Sequence, residues 1–297
     1  DIPFGYSINP YQGCEHGCVY CYARNTHPYW GYSAGQEFEQ KILYKDSAPQ
    51  LLKKWLSRKS WKAHPIMLSG NTDCYQPLEK RMKITRKLLE TFYQFRHPVG
   101  IITKNSLIQR DLDILEKLAS QKLVSVCISV TTLNEELRMI MEPRTATAGK
   151  KMEVIRQLSQ AGVPVHVLMG PVIPGINDHE IMAIGEQVSD AGALGFHHTF
   201  VRLNADVGII FEDWIRKAMP DRADKVLNKI RDSHGGKLGS SVWGKRMSGQ
   251  GNISQMISDQ VKLVQRKYFS NKSLPEFNCD LHAHYKTGQL DLFQSPD

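Results

Sequence analysis

A chain of 297 residues with 41% hydrophobic content is long enough to bury a substantial core, as one large α/β domain or as two smaller ones. Its formal net charge of +8 favours a polyanionic partner such as nucleic acid, and Pro164, Pro171 and Pro174 interrupt its most apolar stretches, which excludes a helical membrane span. Six cysteines, three crowded near the start and Cys74, Cys127 and Cys279 standing alone, exclude a secreted disulfide framework and suit a reducing, cytoplasmic setting.

In chain order, short β-branched runs alternate with longer segments of helical period. A strand is expected at 4–8, then the loop that carries Cys14, Cys18 and Cys21, then a helix over 48–59. Strand 65–69, helix 79–95, strand 99–103, helix 110–121, strand 124–130, helix 148–161, strand 163–169, helix 178–191 and strand 196–203 follow. This order implies a parallel sheet with right-handed crossovers, either an open doubly wound sheet or a closed or partial barrel. After about Asn204 the rhythm stops; a helical region over 211–233, a Gly-rich basic loop over 239–251 and a helix over 253–269 come next. The expected division is a barrel over 1–205 and a mainly helical extension over 206–297 that ends in a peptide tail.

Polar residues gather where the strands end, the rim at which ligands of such sheets bind. The cysteine loop follows the first strand and "GNTD" (Gly70 to Asp73) the second; Thr103 and Lys104 follow the third, and "SVTT" (Ser129 to Thr132) ends the fourth. Three chemistries fit the cysteines in "GCEHGCVYCYARN". Structural zinc has four formal ligands in Cys14, His16, Cys18 and Cys21, but three of them fall within five residues, tighter than a zinc knuckle. A redox pair needs only Cys18 and Cys21 and leaves Cys14 over. An iron-sulfur cluster held by three thiolates uses all three cysteines and keeps one iron open to a further ligand.

The stretch "CEHGCVYC", with an aromatic residue before its last cysteine, resembles the signature of the radical S-adenosylmethionine (SAM) superfamily. Over about residues 5–175 the chain is most similar to the branch of spore photoproduct lyase and DNA repair photolyase-like proteins. The resemblance implies a partial (β/α)6 barrel of TIM type, an α/β fold. It also implies a [4Fe-4S] cluster on Cys14, Cys18 and Cys21, and SAM cleaved to a 5′-deoxyadenosyl radical. By the same resemblance Tyr20 lies against the SAM adenine, Thr72 and Asp73 meet its amino end, Lys104 its carboxylate, and Ser129 and Thr131 its ribose. The matching lyase carries a hydrogen-donating cysteine where this chain has Gly70; Cys74 and Tyr75, just beyond, are the candidate catalytic hydrogen donors. In "MEPRT", which resembles the lyase's Glu-Pro-Gly-Thr segment, Arg144 stands where the lyase has glycine and its role is open; Glu142 and Arg144 read either as part of the site or as a surface ion pair of little weight.

The expected activity is on nucleic acid, as DNA lesion repair, with an electron donor such as flavodoxin or ferredoxin. Modification of RNA, a peptide or a small molecule is the alternative, and a non-catalytic cluster protein docked on a sliding clamp is an alternative of another class. The tail residues Gln289, Leu290, Asp291, Leu292 and Phe293 resemble the peptide by which bacterial repair and replication proteins dock on that clamp. Trp243, Lys245 and Arg246 in the Gly-rich loop suit phosphates and a stacked base. "CDLHAH" (Cys279 to His284) lacks a fourth metal ligand and reads as polar tail. Of His197 and His198, one faces into the barrel and the other out.

Overall fold

The computed structural model describes residues 4–244 and 246–287. Its strands are β1 (Tyr6–Ile8), β2 (Tyr11–Gln12), β3 (Leu43–Tyr44), β4 (Ile66–Leu68), β5 (Val99–Thr103), β6 (Val124–Ser129), β7 (Val165–Val172) and β8 (Phe196–Phe200). Six of them form one parallel sheet in the order β1-β4-β5-β6-β7-β8, while β2 and β3 make a small antiparallel ribbon. Spatial order follows chain order without a reversal. That excludes the doubly wound alternative, which needs a switch point, and leaves a singly wound barrel. Since β1 pairs with β4 and β8 with β7, the two edge strands do not close on one another and the barrel is partial.

Strand alternation sorts the side chains into two columns. Val124, Val126, Val165, Val167 and Met169 are fully buried under the helix layer. On the opposite, concave column stand Ser125, Cys127 and Ser129 of β6, His166, Leu168 and Gly170 of β7, and His197 and Thr199 of β8. Ser125 Oγ lies 3.5 Å from His166 Nδ1, and the His166 and His197 ring centroids are 5.9 Å apart. His197 is therefore the inward histidine of its pair.

The helices Ala48–Leu56, Ile84–Gln94, Leu112–Ser120, Ala148–Gln160 and Ile181–Asp190 cover the outer column. Two expected helices are split. The one over 79–95 breaks at Lys83, whose φ is 54°, because the buried Glu79 carboxylate accepts the N–H groups of Ile84 (3.0 Å) and Thr85 (3.1 Å) and starts a new helix there. The region over 211–233 forms Asp206–Ala218 and Pro220–Asp232, since a proline that lacks an N–H is tolerated at a helix start but not within one. A helix not anticipated from periodicity, Glu135–Met141, is capped by Asn134, whose side chain accepts from Leu137 N at 3.0 Å.

The long helix Gly251–Tyr268 packs on Ile181–Asp190 and on β8, where Gln265 Nε2 donates to Phe196 O at 2.8 Å. The "CDLHAH" stretch is not polar tail: it opens the helix Asp280–Thr287, and its buried His282 donates through Nδ1 to Phe95 O at 2.8 Å. Residues 289–293 lie outside the described residues. Among the described residues no helix is long and apolar enough to cross a membrane.

Candidate active site

The cysteine loop leaves the C-terminal end of β1 and turns at Gly13 (φ 84°) and Gly17 (φ 73°), backbone conformations that side chains other than glycine rarely adopt. At Gly13 space forbids a side chain as well, since a Cβ there would lie 2.9 Å from the backbone Phe38 O, while one on Gly17 would displace the Arg144 guanidinium, 2.5 Å away. The buried Arg24 guanidinium pins the loop by donating to Cys18 O (3.0 Å), Ala34 O (3.1 Å), Gly35 O (2.9 Å) and Glu39 Oε1 (2.5 Å). Gln76 holds its other side, donating to Gly13 O (3.1 Å) and accepting from Glu15 N (3.0 Å).

Cys14 and Cys18 are buried and Cys21 partly so, and none of the three is in a disulfide. Burial raises all three thiols above the ordinary range, and Cys14 is raised further by Asp73 and by the other two thiols. Three soft donors that are mutually repulsive as anions suit a cationic iron-sulfur group, which would supply the missing positive charge. His16 is not available as a fourth ligand. Burial lowers its pKa to about 4, so the ring is neutral; Nδ1 faces Asp73 Oδ2 at 3.5 Å and Nε2 accepts from Asn105 Nδ2 at 3.0 Å. Among the described residues no three or more His, Cys, Asp or Glu side chains converge on a single metal ion.

Opposite the loop, the strand ends converge on Lys104. Its ammonium donates to Ser129 Oγ, Thr131 Oγ1 and Gly170 O, each at 2.8 Å, and lies 2.9 Å from Glu142 Oε1. It also sits 5.6 Å from the centre of the Tyr20 ring, and the Tyr20 hydroxyl donates to the same Glu142 carboxylate. Glu142 is fully buried, with Thr131 Oγ1 at 2.7 Å and the buried Lys151 Nζ at 3.5 Å. The reading of Glu142 and Arg144 as a surface ion pair is therefore corrected: Glu142 anchors the centre of the site, and only Arg144 is exposed, bonded to Glu39 and to Glu15 O. Sequence reasoning had no signal for this beyond the position of Glu142 after a buried methionine, because the two lysines that need an anion come from 38 positions before it and nine after. Arg24, inside the cysteine motif itself, was passed over in the same way.

The other expected residues are placed as follows. The Thr72 hydroxyl donates to Tyr11 O at 2.5 Å. Asp73 Oδ1 accepts from Thr103 Oγ1 and Tyr75 N, both at 2.8 Å, and Oδ2 accepts from Lys104 N at 2.8 Å. With His16 as a fourth neighbour the carboxylate is saturated, and it ties the loop after β4 to the end of β5. Cys74 and Tyr75 are fully buried, and the Tyr75 hydroxyl donates to Asp111 Oδ2 at 3.1 Å. Burial raises both pKa values, so both groups stay protonated.

A family model described as the radical SAM superfamily matches residues 8–188, the span that contains the cysteine loop and every strand end around Lys104. The chain belongs to the radical SAM superfamily. This radical SAM enzyme uses a [4Fe-4S] cluster and SAM as its cofactors. It is 32% identical over 233 residues to an uncharacterised protein of Mycobacterium tuberculosis, covering 77% of this chain and 68% of that protein. To an uncharacterised protein of Methanocaldococcus jannaschii it is 28% identical over 225 residues, 75% of this chain and 80% of the other. A radical SAM Nalpha-GlyT isomerase of a Pseudomonas phage is 25% identical over 198 residues, 65% of this chain and 38% of the isomerase. Among solved structures, a doubly substituted spore photoproduct lyase with bound AdoMet and dinucleoside spore photoproduct superposes with a TM-score of 0.66 at 14% identity, covering 92% of this chain and 76% of that one. At that identity the likeness is one of fold.

Proposed function

We propose that this enzyme directs a radical at nucleic acid, DNA before RNA, in a repair or base-modifying reaction. The observation that carries the radical chemistry is the placement of three thiols on one pinned loop facing the Lys104 network across the barrel mouth. When bound, the cluster and SAM supply a reductive cleavage that yields a 5′-deoxyadenosyl radical. Cys14, Cys18 and Cys21 hold the cluster through its three thiolate positions. Lys104 receives the SAM carboxylate as a point charge, Ser129 and Thr131 the ribose hydroxyls, and Tyr20 flanks the adenine. Thr72 and Asp73 shape the amino end by positioning their loop, since both side chains already have partners. Cys74 and Tyr75 serve as hydrogen donors only if the 70–76 loop opens, given their burial. The nucleic-acid part is supported by the net charge of +8 and by the fold shared with a lyase solved with a dinucleoside photoproduct. The tail 289–293 is proposed to dock on a sliding clamp, a flavodoxin or ferredoxin to deliver the electron, and the cytoplasm to be the site of action.

Anaerobically reconstituted protein with dithionite is expected to convert SAM to 5′-deoxyadenosine and methionine. No product from protein with an intact cluster sinks the proposal. The pH dependence of SAM binding has a predictable sign. Burial first, and Lys151 second, lower the Lys104 pKa to about 8. The cationic form that holds a carboxylate is complete well below that value and is lost above it. SAM affinity is therefore expected to be flat from pH 6.5 to 7.5 and to fall by up to about tenfold per pH unit above 8 in equilibrium dialysis. A flat profile to pH 9.5 removes Lys104 from that role.

A further inference from the structure

Two segments lie at the barrel mouth near its open side, between β1 and β8. The helical turns Tyr22–Trp30, directly after the cysteine loop, run from the exit of β4 to that of β8: Tyr22 Oη donates to Gly70 O at 2.9 Å, and Asn25 Nδ2 to Asn204 O at 2.8 Å. The Gly-rich loop is laid along the exit of β8 and tied at both ends, by Leu203 N to Leu238 O at 2.9 Å and by Phe200 N to Met247 O at 2.8 Å. Its tip projects into solvent, with Trp243 72% exposed.

Along these segments, cations and aromatic rings alternate. The Arg202 guanidinium lies 5.2 Å from the centre of the Tyr22 ring, and that of Arg246 5.2 Å from the centre of the Trp243 ring. Arg202 is half-buried, and among the described residues no carboxylate pairs with it. Burial and the like charge of Arg246 both lower the Arg202 pKa, and the two guanidiniums share one stretch of surface. Elsewhere the half-buried or buried arginines of this chain are each neutralised, Arg24 by Glu39, Arg110 by Glu79 and Arg138 by Glu135. A phosphodiester supplies the anion missing at Arg202, and a base supplies a partner for the exposed indole; a neutral peptide or small metabolite does not bring both.

We propose that Tyr22, Arg202, Trp243 and Arg246 form a substrate-gripping edge at the barrel mouth. Arg202 and Arg246 hold consecutive phosphates of a single-stranded or locally opened nucleic acid, DNA in the first place, and Trp243 stacks on a base. The inference rests on the nucleic-acid reading above and adds its binding residues. Tyr22 follows Cys21 directly, so a strand gripped here passes the cysteine loop with its next base free to turn into the concave face, where His166, His197 and Thr199 stand.

The test is fluorescence anisotropy of the cluster-loaded protein with short single-stranded DNA and RNA of one sequence, over about 50 to 200 mM salt. The double variant Arg202→Gln/Arg246→Gln is expected to lower the log-log salt slope by about 1.4, two phosphate contacts at about 0.7 each on a single strand. Trp243→Ala is expected to weaken binding by about 5- to 150-fold with the slope kept. Lys117→Gln, which removes one positive charge at the other end of the barrel, keeps the wild-type slope. The strand that the wild type binds more tightly identifies DNA or RNA as the source of the phosphates. If the wild type binds with a steep slope and neither variant changes it, the edge is overturned while the nucleic-acid reading stands. If the wild type binds neither strand, that reading falls and the edge with it.

Discussion

Cys14→Ala, Cys18→Ala and Cys21→Ala are each expected to abolish the iron-sulfur absorbance after reconstitution and to lower reductive SAM cleavage by more than about 100-fold. A change behind a metal ligand typically costs 10- to 100-fold, and removing the ligand itself exceeds that. The reason is the donor count: three thiolates are all this loop offers, and His16, with both ring nitrogens engaged by Asp73 and Asn105, does not replace one. The polypeptide itself should persist, because Arg24 and Gln76 hold the loop through backbone groups that the substitutions leave in place. Cys279→Ala, outside the site, is the control and keeps both signals. Retention of the cluster spectrum in any one of the three loop variants would show that another ligand completes the set.

The second large effect is expected at Glu142. Glu142→Ala leaves the Lys104 and Lys151 ammonium groups in a buried site without their shared carboxylate, and removing one partner of a buried pair costs about 3–5 kcal/mol. Urea unfolding of the metal-free protein reads this as a fall in midpoint, and SAM affinity should fall with it because Lys104 loses the group that orients it. Arg144→Ala, two positions on, removes an exposed ion pair with Glu39 and is expected to cost about 0–1 kcal/mol. Equal costs at the two positions would return Glu142 to the surface role that its sequence neighbourhood suggests. Lys151→Met tests the same network from its other side. It removes a like charge from beside Lys104, so the Lys104 pKa should rise and the fall of SAM affinity with pH should move to higher pH.

What could be seen in advance follows from which forces are local. Strands β4 to β8 announce themselves because a buried parallel strand needs a short β-branched run, and all six strands of the main sheet lie within the segments expected of them, apart from the last residues of β7. The helix break at Lys83 was not visible, because its cause is the buried Glu79 carboxylate bonding N–H groups five and six residues on, against a helical period that runs straight through. Glu135–Met141 was missed for want of length: seven residues carry too little periodicity to stand out. The cysteine spacing and its aromatic neighbour were legible as a motif, since the loop that presents them is a single continuous stretch.

The sequence by itself determined the strand-helix rhythm, the three-thiolate loop and the polar residues at each strand end, because each depends on neighbours a few positions apart. Only the tertiary structure decided that the sheet is singly wound and open between β1 and β8, that Glu142 is the buried centre joining Tyr20, Lys104, Thr131 and Lys151, and that Arg202 meets Tyr22 across 180 residues of chain. The physical reason is that charge neutralisation and desolvation act through space: a carboxylate between two lysines, or a guanidinium without an anion, takes its meaning from groups that folding brings to it.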